Sequence, residues 1–307
     1  MTQRHFRYDT SHNWYKGNTH LHSTASDGGK SFPELAELYH SVGYHFLFRT
    51  DHWVLSDVEN DTVDYPLLWL DGVELDGKDH TGSDYHVACL GKLSELSEED
   101  GLKSALLSAR EQHALVILAH PHWCGNSLED VIRYPFDGVE VYNHVCHWLN
   151  GKSNGLVHWE AALQQDPNIL AFAVDDGHHL DEHSVWNGGW IVVNAPECSR
   201  PAILTAIRRG NFYSSCGPEF HSISYDGEQV HIETSPVRYV RLVGPKWQSN
   251  PNGIPKGRFI RNISLPLQQE WPYAYLEIED RLGRRAWTNN LFVSNNRSPY
   301  STVHSPI

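Results

Sequence analysis

The apolar residues follow two rhythms along the chain. Up to about residue 210 they come in short, nearly continuous runs at 45–48, 67–70, 73–75, 86–91, 114–119, 138–142, 169–174 and 190–193. Such runs are short for a helix and too apolar for a half-exposed strand, so they predict strands of a mostly parallel sheet covered on both faces. Between them apolar residues recur at helical spacing. Leu35, Leu38 and Val42 form one stripe, in a helix that starts near Ser31, tolerates Pro33 in its first turn and ends at Gly43. Leu102, Ala105, Leu106 and Ala109 form another within 97–112, and 153–165 and 200–209 are further helical candidates. This grammar predicts an irregular α/β barrel or closed α/β layer, with polar residues gathered where strands end.

Beyond Gly210 the rhythm shortens to alternation at 229–233, 239–243 and 274–278, punctuated by Gly, Pro and Asn at 251–253 and 281–283. That pattern predicts antiparallel hairpins and a small all-β module. The expected division is therefore 1–210 and 211–307, and 307 residues suffice for one large domain with a smaller one.

The ends of the apolar runs carry a restricted set of residue types. His20 and His22 are two apart, so they leave an extended backbone on the same side. One such pair says little in a chain of 21 histidines. It gains weight because Asp51-His52, Glu74, His86, His120 and Asp176-Gly177-His178 follow at the ends of later runs. Imidazole and carboxylate without a close thiolate set suit Zn, Mn or Fe. The cysteines, Cys89, Cys124, Cys146, Cys198 and Cys216, are widely spaced and odd in number, unlike a disulfide framework or a zinc knuckle. A formal charge of −14 with no Lys/Arg block argues against a nucleic-acid partner. The opening residues lack the apolar run of a secretory signal and no stretch is apolar enough to cross a bilayer, so a cytoplasmic protein with no membrane partner is expected.

Taken together, His20-x-His22-x4-Asp27-Gly28, Thr50-Asp51-His52, Glu74, His86, Ala119-His120-Pro121 and Asp176-x-His178 resemble the polymerase and histidinol phosphatase (PHP) superfamily of metallohydrolases. Arg208-Arg209-Gly210-Asn211-Phe212-Tyr213, Gly217-Pro218 and residues 283–290 extend the resemblance to its CehA/McbA-like branch. The resemblance implies an α/β fold, a distorted (βα)7 barrel with a small C-terminal antiparallel β domain. It also implies two or three divalent metal ions. His20, His22 and Asp176 would hold one ion, Glu74 would bridge it to a second held by His86 and His120, and Asp27, His52 and His178 would hold the third.

Around these ligands, Asp51, His178, Arg49 and Asn143 are the candidate catalytic residues. Asp51 is read as an acceptor that orients an imidazole, and Asn143 as a substrate contact. Arg49 stands where the family is expected to place an apolar residue, which marks it either as a specificity group or as half of an ion pair. His122, His144, His147, Asp175, His179, Lys16, Lys30 and Arg133 are further polar neighbours, and Trp53 and Trp123 are possible walls for an organic group. The expected activity is hydrolysis of a small anionic organophosphate, a monoester or diester, by a metal-activated hydroxide. The alternatives are hydrolysis of aryl carbamate, ester or amide bonds, and a non-catalytic metal-stabilised binding protein.

Overall fold

The computed structural model describes residues 4–96, 98, 99, 101–182, 185–253 and 258–294. The chain opens with β1 (Arg4–Phe6), β2 (Asn13–Asn18), α1 (Phe32–His40), β3 (Phe46–Arg49), β4 (Leu68–Lys78), β5 (Asp84–Leu90), α2 (Leu102–Glu111) and β6 (Leu115–Leu118). It continues through α3 (Pro121–Cys124), α4 (Leu128–Arg133), β7 (Gly138–Asn143), α5 (His144–Asn150), α6 (Leu156–Gln165), β8 (Leu170–Val174), β9 (Trp190–Ala195) and α7 (Arg200–Arg209). After Gly210 come β10 (Phe212–Ser215), β11 (Phe220–Tyr225), β12 (Gln229–Val237), β13 (Tyr239–Val243), β14 (Ser249–Gly253), β15 (Ile260–Pro266), β16 (Tyr275–Glu279), β17 (Arg285–Thr288) and β18 (Phe292–Ser294).

Thirteen strands form one mixed sheet in the order β14-β13-β16-β17-β10-β9-β2-β3-β4-β5-β6-β7-β8. The seven strands β2 to β8 follow chain order and curl towards closure. Where β8 ends, Asp176 N donates to His20 O at 2.9 Å and His22 N to Gly177 O at 3.0 Å. Ser214 on β10 reinforces the seam, donating to Ala171 O at 2.9 Å and accepting from Ala173 N at 2.8 Å. The result is a barrel-like mixed α/β fold. The small antiparallel sheet β11-β12-β15 is separate in its hydrogen bonding but shares a buried apolar core with β10, β13, β16 and β17, which together with β14 extend the large sheet.

The expectation of a mostly parallel sheet needs correction. Among the described residues only β2/β3, β3/β4, β6/β7 and β7/β8 pair in parallel. β5 runs against both neighbours because β4 and β5 form a hairpin. Its turn is held by Asp79, whose Oδ1 accepts from Thr81 N at 2.8 Å and Ser83 N at 3.1 Å, with Gly82 at φ +87°. No helix lies between β3 and β4 or between β4 and β5, so the alternation of strand and helix is broken there.

The helices follow their apolar stripes with one change. Leu102, Ala105, Leu106 and Ala109 are all buried on α2, which starts after Gly101. Residues 97 and 100 of the expected helix lie outside the described residues. On α1 the buried stripe is Leu35, Ala36 and Tyr39; Leu38 is only half-buried, and Val42 is 37% exposed because the helix ends at His40 before Val42 can join it.

Inside the barrel, Phe46, Phe48, Leu70, Ala88, Leu90, Leu115, Ile117, Leu170, Phe172 and Val174 form a buried apolar core. Side chains on one face of a strand recur every second residue. The inner rows therefore run on from Phe48 to His52, from Leu70 to Glu74, from Leu90 to His86 and from Phe172 to Asp176. The core carries a polar nest on one end.

Candidate metal centre

Glu74 lies at the middle of the nest and is 1% exposed. Its Oε2 lies 3.0 Å from His20 Nε2, 3.2 Å from His22 Nε2 and 3.3 Å from His52 Nε2. Its Oε1 lies 3.0 Å from His86 Nδ1 and 3.5 Å from His120 Nε2. One carboxylate thus divides its oxygens between two sets of imidazoles. Asp176 Oδ1 closes the first set, 3.3 Å from His20 Nε2 and 3.0 Å from His22 Nε2. A third group forms at the rim, where Asp27 faces His22 Nδ1 at 3.3 Å, His178 Nε2 at 3.3 Å and His52 Nε2 at 3.9 Å. All nine residues expected as metal ligands are brought together.

The surrounding chain holds these donors in place. Asp51 is buried and accepts from Ser23 N and Oγ, both at 2.8 Å, and from Ser26 Oγ at 2.8 Å. It clamps the loop that carries Asp27, its carboxylate bonded to Ser23 and Ser26 where an imidazole was expected. Gly28 lets that loop pack down, since a Cβ there would sit 2.3 Å from His22 O. Asn143 accepts from Cys146 N at 3.0 Å as the cap of α5, and donates to Asp176 Oδ2 at 3.1 Å and Glu140 Oε2 at 3.0 Å. Its place is behind Asp176. His178 Nδ1 faces the Asp176 carbonyl at 2.9 Å, which turns Nε2 towards Asp27.

Two positioning carboxylates escaped the sequence reading. Glu140 Oε1 accepts from His20 Nδ1 at 2.6 Å, so the proton sits on Nδ1 and Nε2 faces the nest. Its other oxygen accepts from His120 N at 2.8 Å. Asp76 Oδ1 faces His52 Nδ1 at 2.9 Å and does the same for that ring. The signals were present. Glu140 is a lone charge inside the apolar run 138–142, and Glu74-x-Asp76 repeats the same-face spacing of His20-x-His22.

Backbone strain concentrates here. Trp53, His120, Asp176 and His179 all have positive φ, at 54°, 24°, 53° and 54°. At His120 this matters for alignment: the inner row of β6 runs Leu115, Ile117, Ala119, and an unstrained His120 would point outwards.

The electrostatics favour cations. Burial pulls the His20 and His22 imidazoles towards neutrality, but the carboxylates of Asp176, Glu74, Glu140 and Asp27 outweigh it and hold both pKa values well above the ordinary range. Conversely, burial would raise Glu74 and Asp176, and the imidazoles hold both below the usual carboxylate range. Donor spacing makes the fit specific. Ligands about 2.0–2.1 Å from one ion lie about 3.3 Å apart in a tetrahedral shell and about 2.9 Å apart in an octahedral one. His20 Nε2 and His22 Nε2 are 3.3 Å apart, and their contacts with Glu74 and Asp176 span 3.0–3.3 Å. The groups can coordinate two or three divalent ions.

Several expected neighbours are placed elsewhere. Arg49 stacks on Phe32, its guanidinium 4.0 Å from the ring centre, with Nη2 on Asp61 and, at 3.3 Å, Tyr65 Oη. This is the outer face of β3, so its ion-pair role is the one realised in the structure. Lys16 lies 4.0 Å from the Tyr44 and Trp190 ring centres and donates to Asn187 at 2.8 Å. Arg133 pairs with Asp79 at 2.8 Å and Asp130 at 2.7 Å, by the β4–β5 turn. Asp175 accepts from the backbone of Asn187, Gly188 and Gly189 at 2.7–3.0 Å. His179 faces Tyr39 Oη at 3.4 Å, and burial pushes its pKa down to about 4. His144 faces Tyr142 Oη at 3.0 Å and stacks on His147, while His122 is exposed and Lys30 half-buried. Trp123 does border the nest, its ring centre 5.3 Å from His120 and 5.8 Å from His86. Trp53, half-buried, donates its backbone N–H to Glu74 O at 2.9 Å.

No protein-family model matches the chain, and no curated protein matches it. Among solved structures it is similar to a two-domain protein from Bacteroides vulgatus containing a predicted PHP-like metal-dependent phosphoesterase. That match has a TM-score of 0.51 and 14% identity, over 95% of this chain and 98% of the other. A candidate metal-dependent phosphoesterase from Bifidobacterium adolescentis aligns with a TM-score of 0.42 and 14% identity, over 63% of this chain and 96% of the other. At this identity the first likeness shows a shared fold alone.

Proposed function

We propose that the chain is a metal-dependent phosphoesterase of the PHP type, CehA/McbA-like branch, acting on a small anionic organophosphate, monoester or diester. The observation that carries this reading is Glu74, whose two oxygens face separate imidazole sets beside a third donor group. His20, His22, Asp176 and Glu74 Oε2 would hold one ion, Glu74 Oε1 with His86 and His120 a second, and Asp27, His52 and His178 a third. Bound there, divalent Zn, Mn or Fe supplies Lewis acidity towards phosphoryl oxygens and an activated hydroxide near neutral pH.

The chain's own residues do the positioning. Glu140 keeps the His20 proton on Nδ1, Asp76 orients His52, and Asn143 holds the outer oxygen of Asp176 so that the inner one faces His22. Asp51 sets the height of Asp27 through the serine loop. Trp123, at the edge of His86 and His120, limits the organic group. In this reading residues 1–210 make up the hydrolase unit and 211–307 a β-rich unit that also lengthens its sheet. A phosphoryl group is favoured over a carbonyl because three cations, if held by these groups, would match its charged oxygens, whereas a neutral carbonyl would gain little from a third.

The test is a screen of metal-reconstituted protein against phosphomonoesters, cyclic and linear phosphodiesters, and aryl carbamates and esters. Wild type, His20→Ala and Asp176→Asn are compared, with folding checked by circular dichroism. Phosphate-ester turnover lost in both folded variants is the expected result. Carbamate or ester turnover without phosphate-ester turnover would overturn the substrate assignment, and inactivity on every class would favour a binding protein.

A further inference from the structure

Strands β2 and β3 run in parallel, with Gly17 opposite Phe46 and Asn18 opposite Leu47. Continued at the same offset, that register sets Leu21 opposite Thr50. β3 ends at Arg49, however, and a side chain joins the two residues instead. The Thr50 hydroxyl accepts from Leu21 N and donates to Leu21 O, both at 2.9 Å. Both residues are fully buried. A hydroxyl carries one O–H and two lone pairs, so this single group meets both backbone groups of Leu21.

The other edge of the segment is held by backbone. Asp176 N donates to His20 O at 2.9 Å and His22 N to Gly177 O at 3.0 Å. Leu21 is therefore gripped from both sides, and it is the residue between the first two imidazoles. Those rings leave the backbone on either side of it, and their Nε2 atoms lie 3.3 Å apart, at 3.0 and 3.2 Å from Glu74 Oε2. Without the hydroxyl, a buried N–H and a buried C=O lose their partner, and the segment must shift to find others. The Thr50 methyl has separate work. It lies against Gly72 of β4, where an added Cβ would meet it at 3.1 Å.

We propose that Thr50 is a positioning residue of the metal centre, its hydroxyl standing in for strand pairing at Leu21 and so setting the separation and aim of the His20 and His22 imidazoles. This role rests on the reading of both histidines as ligands of the first ion.

Thr50→Val keeps the methyl and removes the hydroxyl, whereas Thr50→Ser keeps the hydroxyl and removes the methyl. Zn affinity of chelator-treated full-length protein is measured by competition with a chromophoric chelator, below the melting temperature of every variant. Thr50→Val should weaken, by at least about tenfold, the binding step that Asp176→Asn also weakens, and Thr50→Ser should keep wild-type affinity. Exchange of the Leu21 amide proton should quicken in Thr50→Val and not in Thr50→Ser. A packing role predicts the reverse order of affinities. That reverse order, equal weakening in the two variants, or unchanged affinity in Thr50→Val would each overturn the proposal. If Thr50→Val does not fold, Thr50→Ala replaces it, because Ala and Ser differ by the hydroxyl alone. Wild type that takes up no Zn would overturn the metal-centre reading itself, and the role of Thr50 with it.

Discussion

Glu140 stands behind the His20 imidazole, 2.6 Å from its Nδ1. A carboxylate that holds the far nitrogen of a metal-binding imidazole raises its basicity and fixes its orientation, and losing one typically weakens metal affinity about 10–100-fold. Glu140→Ala should therefore bind metal that much more weakly in a chelator competition while its circular dichroism stays native. Unchanged affinity would mean that the 2.6 Å contact with His20 positions nothing. His20 and His22 were legible because they stand two apart, and His52, His120, Asp176 and His178 because they follow apolar runs. Glu140 was passed over because it lies within one, where a charge reads as tolerated. Arg49 shows the converse. Its place before Thr50-Asp51-His52 suggested the pocket, but period-two alternation puts it with Leu47 on the outer face, under α1. Its hydrogen bond is the main reason that the Asp61 pKa falls to about 2, from an ordinary 3.8. A depressed carboxylate pKa stabilises the fold fully above the unfolded value and loses that effect as pH falls through the folded one. The urea midpoint of Asp61→Asn should lie below that of wild type at pH 7, and the gap should narrow between pH 3.8 and 2. A gap that is constant with pH would contradict the ion pair.

Among the elements, helices with a clear apolar stripe were read well and strand directions were not. The stripe on α2 was legible as Leu102, Ala105, Leu106 and Ala109, and all four are buried. Leu106→Ala removes a side chain that is 4% exposed and should destabilise the protein by about 2–5 kcal/mol in chemical denaturation. A loss below about 0.5 kcal/mol, the size of a surface substitution, would place α2 outside the core. The β4–β5 hairpin was missed for a physical reason. Apolar runs report burial, whereas direction is set by the turn, and Asp79-His80-Thr81-Gly82-Ser83 builds one through local hydrogen bonds that leave the flanking periodicity unchanged. The short helices α3, α4 and α5 were also absent from the reading, because four to seven residues are too few to display a stripe. α3 follows the strained backbone at His120, which the sequence marks only by Pro121.

For the whole molecule, the sheet and the metal centre are one system. The seam that closes β8 onto the segment after β2 is made by the backbones of His20, His22, Asp176 and Gly177, so ions held by those side chains would also fasten the barrel. Ligands that bind only the folded state stabilise it by mass action, by about 2.7 kcal/mol per site at one hundred times the dissociation constant. Adding Mn or Zn to chelator-treated protein should therefore raise Tm by several degrees in wild type and much less in Asp176→Asn. Equal shifts in both would place the stabilising ions elsewhere. The C-terminal rhythm was legible as β structure, but alternation alone could not show that β13, β14, β16 and β17 would join the barrel's own sheet. The most direct measurement of the central claim is anomalous diffraction from crystals of Mn-reconstituted protein, recorded at the Mn edge. The account predicts two peaks flanking Glu74, one among His20, His22 and Asp176 and one beside His86 and His120, with a third among Asp27, His52 and His178 at higher Mn concentration. Anomalous density absent from coordination distance of both Glu74 oxygens would contradict it.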